Sequence, residues 1–222
     1  GPGYSFQLGG VKQAYDIITT MDYDDNRNNT RPNIISLDGW AGSQRYNSVW
    51  SGDQIGGSWE YIRFHIPTFI GQSLSGNPNI GSDMDGIWGG SPVIATRDYQ
   101  WKSFAPQMLD MDGWGSYVKG PFTHGDPYTG VSRMYLKMKA MMMPYVYTNA
   151  YAAANIDTGN GDTGLPMIRA MFLEYPEESM AYSKTASQYQ YMWGENLLVA
   201  PLYKDNGADA MGNDVRNNIY LP

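Results

Sequence analysis

The chain has 222 residues, 42% of them hydrophobic, 14% aromatic and only 17% charged, a length that supports a sizeable core and a composition too apolar for disorder. Its formal charge is −7, and its 15 Lys and Arg are scattered singly, which excludes the basic stripe that a nucleic-acid partner requires. The absence of cysteine excludes disulfides, thiolate metal sites and cysteine nucleophiles, and no apolar run reaches the ~20 residues that span a bilayer.

Val11, Ala14, Tyr15, Ile18 and Met21 fall at helical spacing and predict an amphipathic helix. Asn33 to Asp38 is short, apolar and β-branched, as expected of a strand buried on both faces. Ser58 to Gly71 places Trp59, Ile62, Ile66, Phe69 and Ile70 on one helical face, with Pro67 expected to kink or end the helix. Asn79 to Asp83 predicts a second buried strand. Helical spacing returns over 95–109 and over 131–154, where Met138, Met141, Met142 and Met143 are expected to serve as adaptable core packing. Pro166 to Glu174 predicts a third strand, and Leu197–Tyr203 and Asn218–Leu221 predict strands of a different, all-β region.

Strand–helix alternation with long loops after the strands gives an α/β fold class, most simply a (β/α)-barrel. A complete barrel has eight strands, and three or four precede the β region here. The chain is therefore expected to be an incomplete fragment: the C-terminal part of a (β/α)8 TIM barrel over residues 1–181, then the start of an all-β domain over 182–222. The opening at Gly1, with no targeting segment, predicts that the natural amino terminus is missing.

Seven Trp, 18 Tyr and many Asp and Asn suit uncharged, hydroxyl-rich ligands, which means sugars, although a large aromatic core has the same composition. Asp38, Asp53 and Asp83 stand at or just beyond strand ends, where barrel sites are built. Trp40, Trp50 and Trp88 accompany them, and an indole beside a carboxyl desolvates it and favours its protonated form. A protonated carboxyl can donate to a glycosidic oxygen. The alternative is that strand-end aspartates merely cap the following helices. Asp22, Asp24 and Asn26 begin like a calcium loop, but Arg27 replaces its glycine and Asn33 its terminal Glu, so a solvated turn is expected. His65 and His124 lack spaced partners and are read as structural or exposed.

Trp50-Ser51-Gly52-Asp53, Ser73-Leu74-Ser75-Gly76-Asn77-Pro78, Gly81-Ser82-Asp83, Arg97 with Gln100, Phe104 and Pro106, Leu173-Glu174-Tyr175-Pro176 and Trp193-Gly194-Glu195-Asn196 occur in an order that resembles glycoside hydrolase family 31. The resemblance implies a (β/α)8 barrel followed by β-sandwich domains, and a retaining α-glycosidase or transglycosidase without cofactor or metal. It implies that Asp53 is the general acid/base, Trp50 a wall of the sugar pocket and Asp83 the buried pocket aspartate. The family's nucleophile is an Asp in a W-x-D-x-N/D block, which this sequence does not contain, so it is expected outside this chain.

Ser36-Leu37-Asp38-Gly39-Trp40 and Asp110-Met111-Asp112-Gly113-Trp114 depart from the usual glucosidase pattern and resemble the isomaltosyltransferase branch that handles cyclic α-glucans. Candidate sugar-binding residues are thus Asp38, Trp40, Trp50, Asp83, Asp85, Trp88, Asp110, Asp112 and Trp114, with Asp53 catalytic. The expected partners are an α-linked oligosaccharide or polysaccharide and the missing N-terminal part of the same enzyme, with no nucleic acid and no membrane. The fragment alone is expected to be inactive, and the bacterial enzyme to work outside the cell or at its surface. A carbohydrate-binding protein without chemistry remains the second reading, and a purely structural half-barrel the third.

Overall fold

A computed structural model describes residues 2–20, 31–37, 39–113, 118–155 and 164–222, with the side chains of the first helix from residue 7 onward. The expected pocket residues Asp38 and Trp114, and most of the calcium-like turn, lie outside the described residues.

Helix α1 (Pro2–Thr20) precedes three short strands, β1 (Ile35–Ser36), β2 (Ser48–Trp50) and β3 (Ile80–Gly81). They form one parallel sheet in the order β1-β2-β3, with Ile35 opposite Ser48 and Val49 opposite Ile80. A parallel bridge from Asp83 to Leu109 continues the sheet by one more position. Parallel neighbours need a crossover, and between β2 and β3 it is α2 (Trp59–Leu74). The buried face of α2 is the predicted one: Ile62, Ile66 and Phe69 are all 0% exposed. Of the two outcomes expected of Pro67, a kink or an end, it does not end this helix. Burial of residues before and after it, from Tyr61 to Ser73, holds the turn together despite the missing N–H.

Helix α3 (Pro92–Lys102) begins with the Ser91 hydroxyl accepting from the Ile94 amide and with Pro92 in the first turn, an ordinary N-cap. The long helical stretch expected over 131–154 divides into α4 (Tyr128–Met141) and α5 (Met143–Ala154) at Met142, with Pro144 at the start of the second helix. The methionines there do not form the expected core. Met142 packs against it, but Met141 is 82% exposed and Met143 49%, because they sit on faces that no described element covers.

The third predicted strand is only β4 (Ile168–Arg169), followed at once by the single-turn α6 (Met171–Glu174). It pairs antiparallel with β5 (Tyr191–Trp193), which pairs antiparallel with β6 (Leu197–Val199). This sheet takes strands from both sides of the boundary expected at residue 182. One core runs beneath both sheets, joining Val49, Ile80, Ile168, Tyr191 and Trp193. The strand expected at Asn218–Leu221 is absent. The Gln190 side chain instead donates to the Tyr220 carbonyl at 2.8 Å and accepts from its amide at 3.1 Å, doing for that segment what a neighbouring strand would do. Among the described residues no helix is long and apolar enough to cross a membrane.

Candidate active site

The parallel sheet delivers its carboxylates in sequence. Asp53 follows the carboxyl end of β2, Asp83 follows β3, and Asp110 follows Leu109, the bridge partner of Asp83. Residues leaving adjacent parallel strands at the same end must converge on one rim. The convergence is visible electrostatically: the Asp83 carboxyl responds to Asp53, Asp110, Lys102 and Lys119. Asp83 is 1% exposed, and neither carboxylate oxygen has a hydrogen-bond partner among the described residues. Burial raises its pKa to about 6, against the lowering effect of Lys119 and Lys102 and with a further push from Asp53 and Asp110. Burial also raises Asp110, whose Oδ2 accepts from the Tyr99 hydroxyl at 2.6 Å.

Asp53 itself is exposed and makes no ion pair among the described residues. The desolvation that the sequence assigns to every strand-end aspartate therefore falls on Asp83 and Asp110 instead. The loop carrying Asp53 is fixed by its glycines and by Asp85. A Cβ on Gly56 would lie 1.6 Å from the Asp85 carbonyl oxygen and one on Gly89 would lie 2.1 Å from it, so only glycine permits these loops to pack. The Asp85 carboxylate accepts from the backbone amides of Gly57 at 2.5 Å, Gly90 at 2.8 Å and Ser91 at 3.0 Å. At 0% exposure with both oxygens occupied, Asp85 ties the loops together and is not the sugar-hydroxyl ligand expected of it.

Lys119 is wholly buried beside the same rim, 3.2 Å from Asp112 and 3.9 Å from Asp110, and it donates to the Met111 carbonyl. It carries the positive charge that allows several carboxylates to share this end of the sheet. No sequence signal marked it, because a single lysine in a Gly/Pro loop has no periodicity. Trp40 is 46% exposed and Trp88 38%, while Trp50 is half-buried in β2. Gly113 packs against Trp88 so closely that a Cβ there would lie 2.5 Å from the indole nitrogen.

His65 is structural, as expected. It is fully buried, and burial with the nearby Lys102 lowers its pKa to about 3, so the ring is neutral. Nδ1 faces the Tyr61 carbonyl at 2.8 Å and so carries the proton, leaving Nε2 to accept from Ser51 Oγ at 2.7 Å, two residues before Asp53.

Helices around parallel strands, with carboxylates gathered at the strands' carboxyl ends and exposed indoles near them, are the arrangement of the site-bearing end of a (β/α)-barrel. The sequence pattern of the glycosyl hydrolases family 31 TIM-barrel domain matches residues 9–149, and that of the family's C-terminal domain matches residues 164–222. The chain belongs to glycosyl hydrolase family 31. It is 28% identical over 176 residues to alpha-glucosidase 2 of Bacillus thermoamyloliquefaciens, covering 79% of this chain and 21% of that enzyme. It is 27% identical over 232 residues to an alpha-xylosidase of Saccharolobus solfataricus, covering 100% of this chain and 28% of the relative. Its fold is similar to that of a Flavobacterium johnsoniae family 31 dextranase solved with glucose, at 28% identity and a TM-score of 0.72, covering 89% of this chain and 24% of that one. The chain therefore spans only about a fifth to three tenths of these relatives' length.

Proposed function

We propose that the chain supplies the acid/base side of a retaining α-glycosidase or transglycosidase acting on α-glucosides or α-glucans. The observation that carries this reading is the meeting, on one rim, of exposed Asp53 with the buried carboxylate of Asp83, which has no hydrogen-bond partner among the described residues. Asp53 donates a proton to the glycosidic oxygen as the bond to the anomeric carbon breaks and a nucleophile outside this chain bonds to that carbon. Asp53 then takes a proton from the incoming water or sugar hydroxyl, which bonds to the anomeric carbon as the glycosyl–enzyme bond breaks. Asp83 accepts hydrogen bonds from sugar hydroxyls that replace its missing donors, and Trp40, Trp50 and Trp88 offer ring faces to the pyranose. Asp110 and Asp112, held by Lys119, fit an extended acceptor region, in keeping with an isomaltosyl-transferring branch.

The test is Asp53→Asn in the complete polypeptide carrying this chain. On unactivated α-glucosides kcat/KM falls by about 10²–10⁴, the usual worth of a general acid/base. Near-normal turnover removes Asp53 from this role. The same groups would serve a carbohydrate-binding protein without chemistry, and calorimetric titration with isomalto-oligosaccharides beside a product assay separates the two: binding without cleavage by the unaltered protein selects the second.

A further inference from the structure

Below the rim lies a buried ion pair that neither the sequence motifs nor the reaction just described employs. Asp98 and Lys102, one turn apart on α3, are both 0% exposed and 2.5 Å apart. Burial alone raises the Asp98 pKa and lowers that of Lys102, so each needs the other's charge to stay ionised. Most of their remaining valences leave α3. Lys102 Nζ donates to the Asp83 carbonyl oxygen at 2.7 Å, and Asp98 Oδ2 accepts from the Asp85 amide at 2.9 Å. Asp98 Oδ1 is held by the Trp101 indole at 2.6 Å, and Lys102 also reaches the Tyr61 hydroxyl at 3.3 Å, while that hydroxyl donates to the same Asp83 carbonyl.

One ion pair thus holds the backbone immediately on either side of Met84. The Asp83 end of that grip orients a carboxylate that has no partner among the described residues. The Asp85 end continues through its own carboxylate to the Gly57 amide, in the loop that carries Asp53. The pair's hydrogen bonds cross from α3 to the backbone of residues 83–85, so its two charges fix the course of that segment as well as each other.

We propose that Asp98 and Lys102 are positioning residues of the glycosidase site, holding Asp83 and the Asp53 loop in register through the backbone of residues 83–85. The inference rests on the acid/base reading of Asp53. The groups that face the Asp83 carboxyl are Asp53, Asp110, Lys119 and Lys102, and those that face Lys102 are Asp98, Asp83, Asp85, Tyr61 and the neutral His65.

The experiment uses the complete polypeptide with the double variant Asp98→Asn/Lys102→Met, which removes both charges together and so leaves no unpaired buried ion. Lys139→Met serves as control, because Lys139 is a partly buried lysine that donates to the Ala105 carbonyl away from the rim. Melting curves first establish that both variants fold, and a second pair variant, Asp98→Leu/Lys102→Leu, stands in should the first fail to do so. The expected result is a kcat/KM lowered on the order of tenfold to a hundredfold, chiefly in kcat. The acidic limb of its pH profile and the carbon-13 titration midpoint of Asp83 both move to higher pH, since a cation beside Asp83 is gone. Lys139→Met lowers the melting temperature and moves neither. A folded pair variant with wild-type kcat, an unmoved limb and an unmoved Asp83 midpoint overturns the inference while Asp53→Asn remains inactive. An active Asp53→Asn overturns the underlying acid/base reading instead.

Discussion

Asp83, Asp85 and Asp98 show how burial alone does not determine what a carboxylate does. Asp83 and Asp85 are both essentially unexposed and lie two residues apart. Asp85 has three backbone amides on its carboxylate and Asp83 has no donor among the described residues, so one is a fastener and the other is a buried carboxyl left unsatisfied. Replacing Asp85 with Ala strands those amides, and urea unfolding is expected to show a loss on the order of 3 kcal/mol or more. The titrations can be checked against each other. His65 is lowered from 6.5 to about 3 in the folded chain, so the unfolded state binds more protons between these values and stability rises with pH across the window, by on the order of 5 kcal/mol. Asp83 is raised from 3.8 to about 6, so the folded state binds more protons and stability falls with pH between those values, by on the order of 3 kcal/mol. The two slopes oppose. Removing one by Asp83→Asn is therefore expected to steepen the rise in unfolding free energy between pH 4 and 6, and an unchanged slope would show that Asp83 titrates normally.

Among the elements, α2 carries the most weight for the site. Its inner face supplies Ile62, Ile66 and Phe69 to the core and His65 to the Ser51 hydroxyl, so the helix both closes the sheet and steadies the turn before Asp53. Phe69 meets Trp101 edge-on at a centroid distance of 5.0 Å, which couples α2 to the helix bearing the Asp98–Lys102 pair. Phe69→Ala is expected to cost about 3–5 kcal/mol in thermal or urea unfolding. A loss below 1 kcal/mol would mean that the core collapses onto the space without cost. The periodicity of this helix was readable, and its passage through Pro67 was not. Proline's local effect is a missing hydrogen bond, and several fully buried neighbours outweigh it.

For the whole molecule, the parallel strands are two or three residues long and β1 is paired on one side only by a described strand. Large apolar side chains stand open near it, Ile35 at 39% and Leu37 at 58%, with Ile55 at 77% beyond β2. Edges and patches of this kind invite pairing with further polypeptide. Residues 1–222 expressed alone are expected to self-associate, giving a light-scattering mass above the monomer that grows with concentration. A monodisperse monomer at all concentrations would show that this surface is content with water.

Periodicity was enough to place β1, β3 and the helix that precedes β3, because these depend on short-range spacing, whereas β2, only three residues long, was not predicted. Asp83 just after β3 and the buried, hydrogen-bonded ring of His65 were legible on the same ground. The antiparallel partnership of β4, the Gln190 substitute for a strand and the exposure of Met141 were not, since each depends on what lies across from a segment in space. The same holds for Lys119, Lys102 and Asp98: a lone charge in a loop or helix has no pattern until the fold encloses it. Composition and order determined which residues could meet at the rim, and the tertiary structure alone decided which carboxylate is tied, which is buried without a described donor and which cations stand beside them, because charge and desolvation act through distance rather than along the chain.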